Sequence, residues 1–272
     1  MSGQNSVLKN CVRILVFFTK NPLLSDSDEE FERYRLDIHA RAFAELVEDK
    51  KGKGLVRYEQ LHINSEEQAK LKAWGLPVLE GYDGIDSFDF ESLEQFHELW
   101  SCPEYASNVV PEEKKFMIRE TALVLCLSVA SLAVVNREPK NQPVSVGIRQ
   151  DRARMLFGFR RKEGMRIEEM KEHWVEHARL ACEDTRMGQE VTKYDRLIFT
   201  APDMIKHVVE SSAIRPLPEW DGLAQLDAPS FEAFKHPEDA EPLNADVAKW
   251  QAVDKMFMLP VNVATIITNY NQ

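Results

Sequence analysis

Two stretches of this sequence carry the same text in the same order. Residues 54–63 read GLVRYEQLHI and lead on to PVLEGYDGIDSF; residues 191–199 read VTKYDRLIF and lead on to RPLPEWDGLAQL. Ahead of each pair stands a strand-like run and then a helical segment with a histidine. RILVFFTK precedes DEEFERYRLDIHARAFAEL, and RMLFGFRR precedes IEEMKEHWVEHARLACE. Matched elements in matched order mark an internal duplication, and copies of roughly 120 residues are domains rather than solenoid repeats.

Each copy reads as βαββαβ, the split βαβ arrangement of ferredoxin-like folds. In the first, CVRILVFF (11–18) has the composition of a buried strand. Ser27 with Glu30 three residues on predicts a capping-box helix start, and Phe31, Tyr34, Ile38, Ala42 and Leu46 recur as an apolar stripe with His39 at its edge. Strands follow at 54–63, 82–90 and 121–135, with a polar insert after the first of these and a helix at 91–100. The second copy predicts strands at 153–160, 191–199, 220–227 and 261–269, a helix at 166–185 and a helical region at 230–258. The domains are therefore 11–135 and 151–270. NREPKNQPVSVGIRQ (136–150), polar and with two prolines, is the linker. A four-stranded sheet with helices on one face must bury the other, and the second copy is the natural cover.

Composition narrows the function. A formal charge of −11 and a pI near 5.2 argue against a polyanion, so no nucleic-acid partner is expected. TALVLCLSVASLAVV (121–135) is too short to span a bilayer, which takes about 20 residues, so no membrane partner is expected either. Four scattered cysteines and a polar start without a signal-peptide core predict a cytoplasmic protein with free thiols.

The strand at 54–63 alternates. Val56, Tyr58, Gln60 and His62 share one face; Leu55, Arg57, Glu59 and Leu61 share the other. Three polar groups on one buried face must bond each other or a ligand. Histidine moves protons near neutrality, and a tyrosine hydroxyl donates to a developing enolate oxygen. His39, Tyr58, His62 and Asp83 are therefore the candidate catalytic residues, with Gln60 beside them. The paired Asp83-Gly84 and Asp221-Gly222 read first as turn or bulge chemistry in which glycine supplies backbone freedom, with Asp83 also able to orient a histidine. HWVEH (173–177) fits an H-x-x-E-H zinc pattern, but no third ligand is evident and no metal is expected. In the second copy Tyr194, Arg196 and Ile198 replace Tyr58, Gln60 and His62; that face suits proton transfer less well, although Arg196 could hold a carboxylate. One working pocket is expected, in the first copy.

EEFERYRLDIHA, LVRYEQLH, GLPVLEGYDGI and FHELWSCPEY resemble the EthD-like branch of the dimeric α/β barrels, in particular fungal members that tailor polyketides. EEMKEHWVEHARL, KYDRLIF and EWDGLAQL resemble it in the second copy, one residue shorter between Met170 and His177 than between Phe31 and His39. The resemblance implies an α+β fold of tandem ferredoxin-like domains packed sheet to sheet as an intramolecular dimeric barrel. It also implies a pocket between sheet and helices in each half. Tyr34, Gln60, Tyr82, His177, Tyr194, Arg196, Trp220 and Asp221 are then the substrate-binding candidates, and no cofactor is needed. The expected partner is a small apolar or aromatic metabolite, and the pseudo-dimer is open to further homo-oligomerisation. The expected activity is that of a lyase, a decarboxylase or dehydratase, or a cyclase. The alternatives are a cofactorless anthrone-type oxygenase and a non-catalytic binder.

Overall fold

The computed structural model describes residues 11–24, 27–48, 54–136, 147–199 and 220–268. The first half contributes β1 (Val12–Phe18), β2 (Leu55–Ile63), β3 (Gly84–Phe90) and β4 (Leu123–Asn136). Its helices are α1 (Asp28–Tyr34), α2 (Ala40–Leu46), α3 (Ser65–Ala73), α4 (Leu93–Trp100) and α5 (Val110–Phe116). The second half contributes β5 (Ile148–Phe159), β6 (Lys193–Phe199), β7 (Gly222–Ala228) and β8 (Phe257–Thr268), with α6 (Ile167–Glu183), α7 (Arg186–Glu190) and α8 (Pro237–Trp250). Among the described residues no helix is long and apolar enough to cross a membrane.

Each half has the ferredoxin-like strand order, β4-β1-β3-β2 and β6-β7-β5-β8, antiparallel throughout. The halves face each other and also join at their edges, β2 to β8 and β4 to β6, so eight strands close into one barrel. Closure removes the free edges that two open sheets would leave. Leu15, Leu61, Leu125, Leu156, Leu197 and Leu259 fill its interior. Separate cores, one around Phe43 and Phe88 and one around Trp174 and Trp250, lie between each half's sheet and its helices.

One end of the interior holds charge instead. Arg13 donates to both oxygens of Asp89 (2.6 and 3.0 Å) and reaches Asp195 at 3.1 Å; Arg57 meets Asp89 at 2.8 Å. Arg154 donates to Asp227 at 2.6 Å and to Glu59 at 2.7 Å, and Lys193 meets Asp195 at 3.0 Å. Strand registers make Arg13 and Arg154, Asp89 and Asp227, Arg57 and Lys193, and Glu59 and Asp195 equivalent pairs. The duplication thus builds a pseudo-twofold ion network whose cross-links, Arg13–Asp195 and Glu59–Arg154, tie half to half. Pairing this complete offsets the desolvation cost of these buried charges.

Several sequence expectations shift. The polar insert after β2 contains α3, capped by the Asn64 side chain accepting from the Glu67 N–H at 3.0 Å. β5 begins at Ile148, inside the expected linker, because β8 gives it a partner there; the linker's residues 137–146 lie outside the described residues. A β-bulge between Leu55 and Arg57 turns Leu55 toward the helices and Val56 toward the barrel, the reverse of simple alternation.

The expected helix stripe also changes partway. Ser27 caps α1 through the Glu30 N–H as the sequence predicts, but residues Arg35–His39 form a π-turn before α2 continues the helix. That turn absorbs one extra residue and rotates the face that α2 presents to the sheet. Arg35, His39, Ala40 and Phe43 face inward, while Ile38 is 45% exposed. α6 has no such turn, which accounts for the one-residue difference between the copies.

Candidate active site

The π-turn, the outer face of β2 and the outer face of β3 meet at one point in the first half. His39 and Arg35 come from the π-turn, Tyr58, Gln60 and His62 from β2, and Asp86 from β3; all six are buried. Arg35 Nη2 donates to Asp86 Oδ1 at 2.8 Å and to the Ile85 carbonyl at 3.1 Å. Its Nη1 lies 3.5 Å from His62 Nδ1. His39 Nε2 faces Asp86 Oδ2 at 3.7 Å. Tyr58 donates to Asp86 Oδ1 at 3.4 Å, and Gln60 Nε2 donates to the Tyr58 hydroxyl and to the Arg35 carbonyl, both at 3.0 Å. Gln60 therefore holds the first residue of the π-turn against the sheet.

Aromatic rings wall the cluster. Phe88 stacks on Tyr58 with centroids 4.6 Å apart, Phe116 lies 4.7 Å from His39, and the Arg35 guanidinium sits 4.9 Å from the Phe18 centroid. Burial sets the protonation states. It pushes His39 down to about 4 against the opposing pull of Asp86. Burial, then Arg35, holds His62 well below the ordinary imidazole range; burial, then Asp86, holds Tyr58 well above the ordinary phenol range. Both imidazoles are neutral at pH 7.

Because a guanidinium only donates, His62 Nδ1 beside Arg35 is the acceptor and its proton sits on Nε2. By the same reasoning His39 directs its proton from Nε2 toward Asp86 and leaves a lone pair on Nδ1. These are the two atoms, His39 Nδ1 and His62 Nε2, that have no hydrogen-bond partner among the described residues, along with Gln60 Oε1 and Arg35 Nε. A buried base and a buried donor are left open in one cluster.

Beyond the cluster, Tyr34 donates to Glu112 beside Phe116. Glu112 also borders a surface groove of about 490 Å³ lined by Asp37, Ile38, Arg41, Glu45 and Ser107.

Asp83 lies apart. It is exposed, accepts the Lys20 N–H at 2.7 Å, and its own N–H donates to the Phe18 carbonyl at 2.9 Å. Asp221 does the same with Arg161 (2.8 Å) and Phe159 (2.9 Å). The glycines after them provide space rather than unusual backbone angles. A Cβ on Gly84 would meet the Phe18 ring at 2.7 Å and Arg35 Nη1 at 2.8 Å; one on Gly222 would meet the Phe159 ring at 2.6 Å and Trp174 at 2.8 Å. Tyr82 and Trp220 pack toward the barrel interior, on Phe17 (5.4 Å) and Phe257 (3.9 Å), on the other side of the sheet from His39.

The equivalent place in the second half is built differently. Trp174 stands where Arg35 stands, Ala224 where Asp86 stands, and Arg196 where Gln60 stands. Trp174 donates to the Tyr194 hydroxyl at 3.0 Å. His177, on the unbroken α6, turns to Asp246 of α8 at 3.0 Å, and Glu176 of the H-x-x-E-H pattern pairs with Arg179. Among the described residues no group of three or more His, Cys, Asp or Glu could hold a metal.

Sequence reasoning missed Arg35 and Asp86. The usable signal was the difference between copies: Arg13, Glu59 and Asp89 recur as Arg154, Asp195 and Asp227, whereas Arg35 and Asp86 do not. Charged residues held by both copies build the barrel, and those on one apolar face of one copy alone build the cluster.

An eight-stranded barrel closed from two ferredoxin-like halves, with a polar cluster under the helices of one half, defines a single-chain dimeric α/β barrel. The EthD domain profile matches residues 25–120. The conidial pigment biosynthesis dehydratase EthD of Metarhizium robertsii is 30% identical over 109 residues, 39% of this chain and 72% of that protein. The chain belongs to the EthD family. Solved structures share the fold alone. A monooxygenase candidate from Lactobacillus acidophilus NCFM superposes with a TM-score of 0.54 at 8% identity, over 95% of each chain. A chlorite dismutase variant from Candidatus Nitrospira defluvii superposes with a TM-score of 0.54 at 12% identity, over 95% of this chain and 93% of the other.

Proposed function

We propose that this protein tailors a secondary metabolite as a lyase, removing water from a β-hydroxy ketone in an aromatic, polyketide-like substrate. The observation that carries this reading is the open pair of neutral imidazole atoms, His39 Nδ1 as acceptor and His62 Nε2–H as donor, on either side of the Arg35–Asp86 ion pair.

In this scheme His39 Nδ1 takes the proton from the carbon next to the ketone, and the electron pair moves onto the carbonyl oxygen. The resulting enolate is held by the His62 Nε2–H. The enolate then collapses, the carbon–oxygen bond to the β-hydroxyl breaks, and His39 returns its proton to the leaving oxygen. The products are an enone and water, and both histidines end as they began. Asp86 keeps the His39 proton on Nε2. Tyr58, engaged by Asp86 and Gln60, positions Asp86 rather than touching substrate.

Charge favours dehydration over decarboxylation. The arginine of the cluster is already neutralised by Asp86, both histidines are neutral, and two further charges beside them, Glu32 at 3.9 Å from His62 and Glu112 near His39, are acidic. A substrate carboxylate would enter without a counter-ion. The name of the Metarhizium robertsii relative, a dehydratase of pigment biosynthesis, supports the same reading.

Incubation with β-hydroxy ketone polyketides, followed by mass spectrometry with parallel oxygen and carbon dioxide measurements, tests it. Loss of one water, slowed by a factor on the order of 10² or more in His39→Gln, is expected. Release of carbon dioxide or uptake of oxygen in its place would sink the dehydratase reading.

A further inference from the structure

Among the described residues the buried arginines are Arg13, Arg35, Arg57, Arg152, Arg154 and Arg196. Five have a carboxylate within 3.0 Å: Arg13 and Arg57 on Asp89 (2.6 and 2.8 Å), Arg35 on Asp86 (2.8 Å), Arg152 on Glu59 (3.0 Å) and Arg154 on Asp227 (2.6 Å). Arg196 is the exception. It is 3% exposed, yet no carboxylate of the described residues pairs with it. Its Nη1 reaches only the Lys171 carbonyl at 3.5 Å, its guanidinium sits 5.7 Å from the Trp174 ring, and its Nε has no partner among the described residues.

An unpaired cation in this position is costly, and burial lowers its hold on its proton. Nothing in the duplication demands it, since the first half places neutral Gln60 at the equivalent position. A second donor in the same core, Trp250 Nε1, is also buried without a partner among the described residues. The Trp174 and Trp250 ring centroids lie 6.4 Å apart, with the ring planes at 28°. Lys171 and Ile198, beside Arg196 on α6 and β6, are half-buried.

We propose that the second half is a binding site for a small aromatic carboxylate, with Arg196 as its anion anchor and the Trp174 indole as its apolar wall. The carboxylate supplies the counter-ion that no described residue provides, through the planar fork suited to two parallel hydrogen bonds. The two halves then divide the labour. The first holds a compensated ion pair and takes a neutral reacting group; the second holds a cation that no described carboxylate compensates and takes an anion.

Benzoate titrated into the full chain, with benzamide as the uncharged control, tests the site by calorimetry and by tryptophan fluorescence, which Trp174 and Trp250 report. Saturable binding of one benzoate and none of benzamide is expected. Arg196→Gln, the side chain of the first half, weakens it roughly ten- to a hundredfold, and His39→Gln leaves it unchanged. If Arg196→Gln fails to fold, Arg196→Lys serves, since it keeps the charge without the fork and still weakens benzoate severalfold. The proposal is overturned if benzoate does not bind at millimolar concentration or binds no better than benzamide. It is equally overturned if benzoate binds the Arg196 variants as tightly as the parent, or loses affinity in His39→Gln instead.

Discussion

Arg35 and Asp86 form a 2.8 Å ion pair under the helices of the first half, and Trp174 and Ala224 occupy the same two places in the second. One duplicated scaffold therefore presents a charged pair flanked by open imidazoles on one side and an indole packed on a tyrosine on the other. The pair is fully enclosed, so each partner depends on the other for its counter-charge.

Asp86→Asn leaves Arg35 buried with no carboxylate and is expected to cost about 3–5 kcal/mol in urea denaturation. The double variant Arg35→Met with Asp86→Leu recovers most of that loss, because two apolar groups bury together without penalty, yet it lacks activity. A double variant no more stable than Asp86→Asn would show that the pair is not what burial stabilises.

Stability also depends on pH through His39. Its folded pKa, about 4, lies below the ordinary value of 6.5, so the unfolded chain binds the proton first. The stabilisation from keeping this imidazole neutral is complete above pH 6.5 and is lost as pH falls toward 4; His62, shifted the same way, adds to the slope. Melting curves between pH 7 and 4.5 should show a shallower decline for His39→Gln than for the parent protein. Equal slopes would mean that His39 does not titrate as its burial requires.

The two glycines make a matched pair of probes. Gly84→Ala drives a methyl into Phe18 and Arg35, and Gly222→Ala drives one into Phe159 and Trp174. Both variants are expected to lose roughly 1–3 kcal/mol from overpacking. Only Gly84→Ala should also lose turnover, because only there does the displaced side chain belong to the cluster. Comparable turnover losses from both would move part of the chemistry into the second half.

Deleting Asp37, an exposed residue of the π-turn, converts the first helix to the register of α6. The helix should survive, as α6 does, while His39 rotates away from Asp86. Circular dichroism close to that of the parent with activity lost is the expected result. Full activity in the deletion variant would remove the π-turn from the account of the site.

Much of this was legible in the residues. The repeated text specified two βαββαβ units, and alternation along LVRYEQLHI put Tyr58, Gln60 and His62 on one face, because side chains alternate along a pleated strand beyond its bulge. The mismatch of one residue between Met170 to His177 and Phe31 to His39 was visible too. That it is a π-turn which carries His39 inward, while His177 meets Asp246, depended on which helix packs above each histidine.

What only the tertiary structure decided are relations between elements distant in sequence. Asp83 was a candidate for orienting a histidine, but its carboxylate accepts the Lys20 N–H at a strand end. Asp86, three residues on, enters the cluster because β3 runs beside β2 in a register that sets it opposite Gln60. Alternation places Arg57 and Glu59 together but names no partner for them; β2 meets β8, the interior closes over both, and Asp89 and Arg154 supply the opposite charges. A sequence determines the order in which side chains leave the backbone. Which of them lose water together depends on how strands and helices far apart in the chain are brought into contact. That loss of water shifts the histidines, pairs five of the buried arginines, and leaves Arg196 without a carboxylate among the described residues.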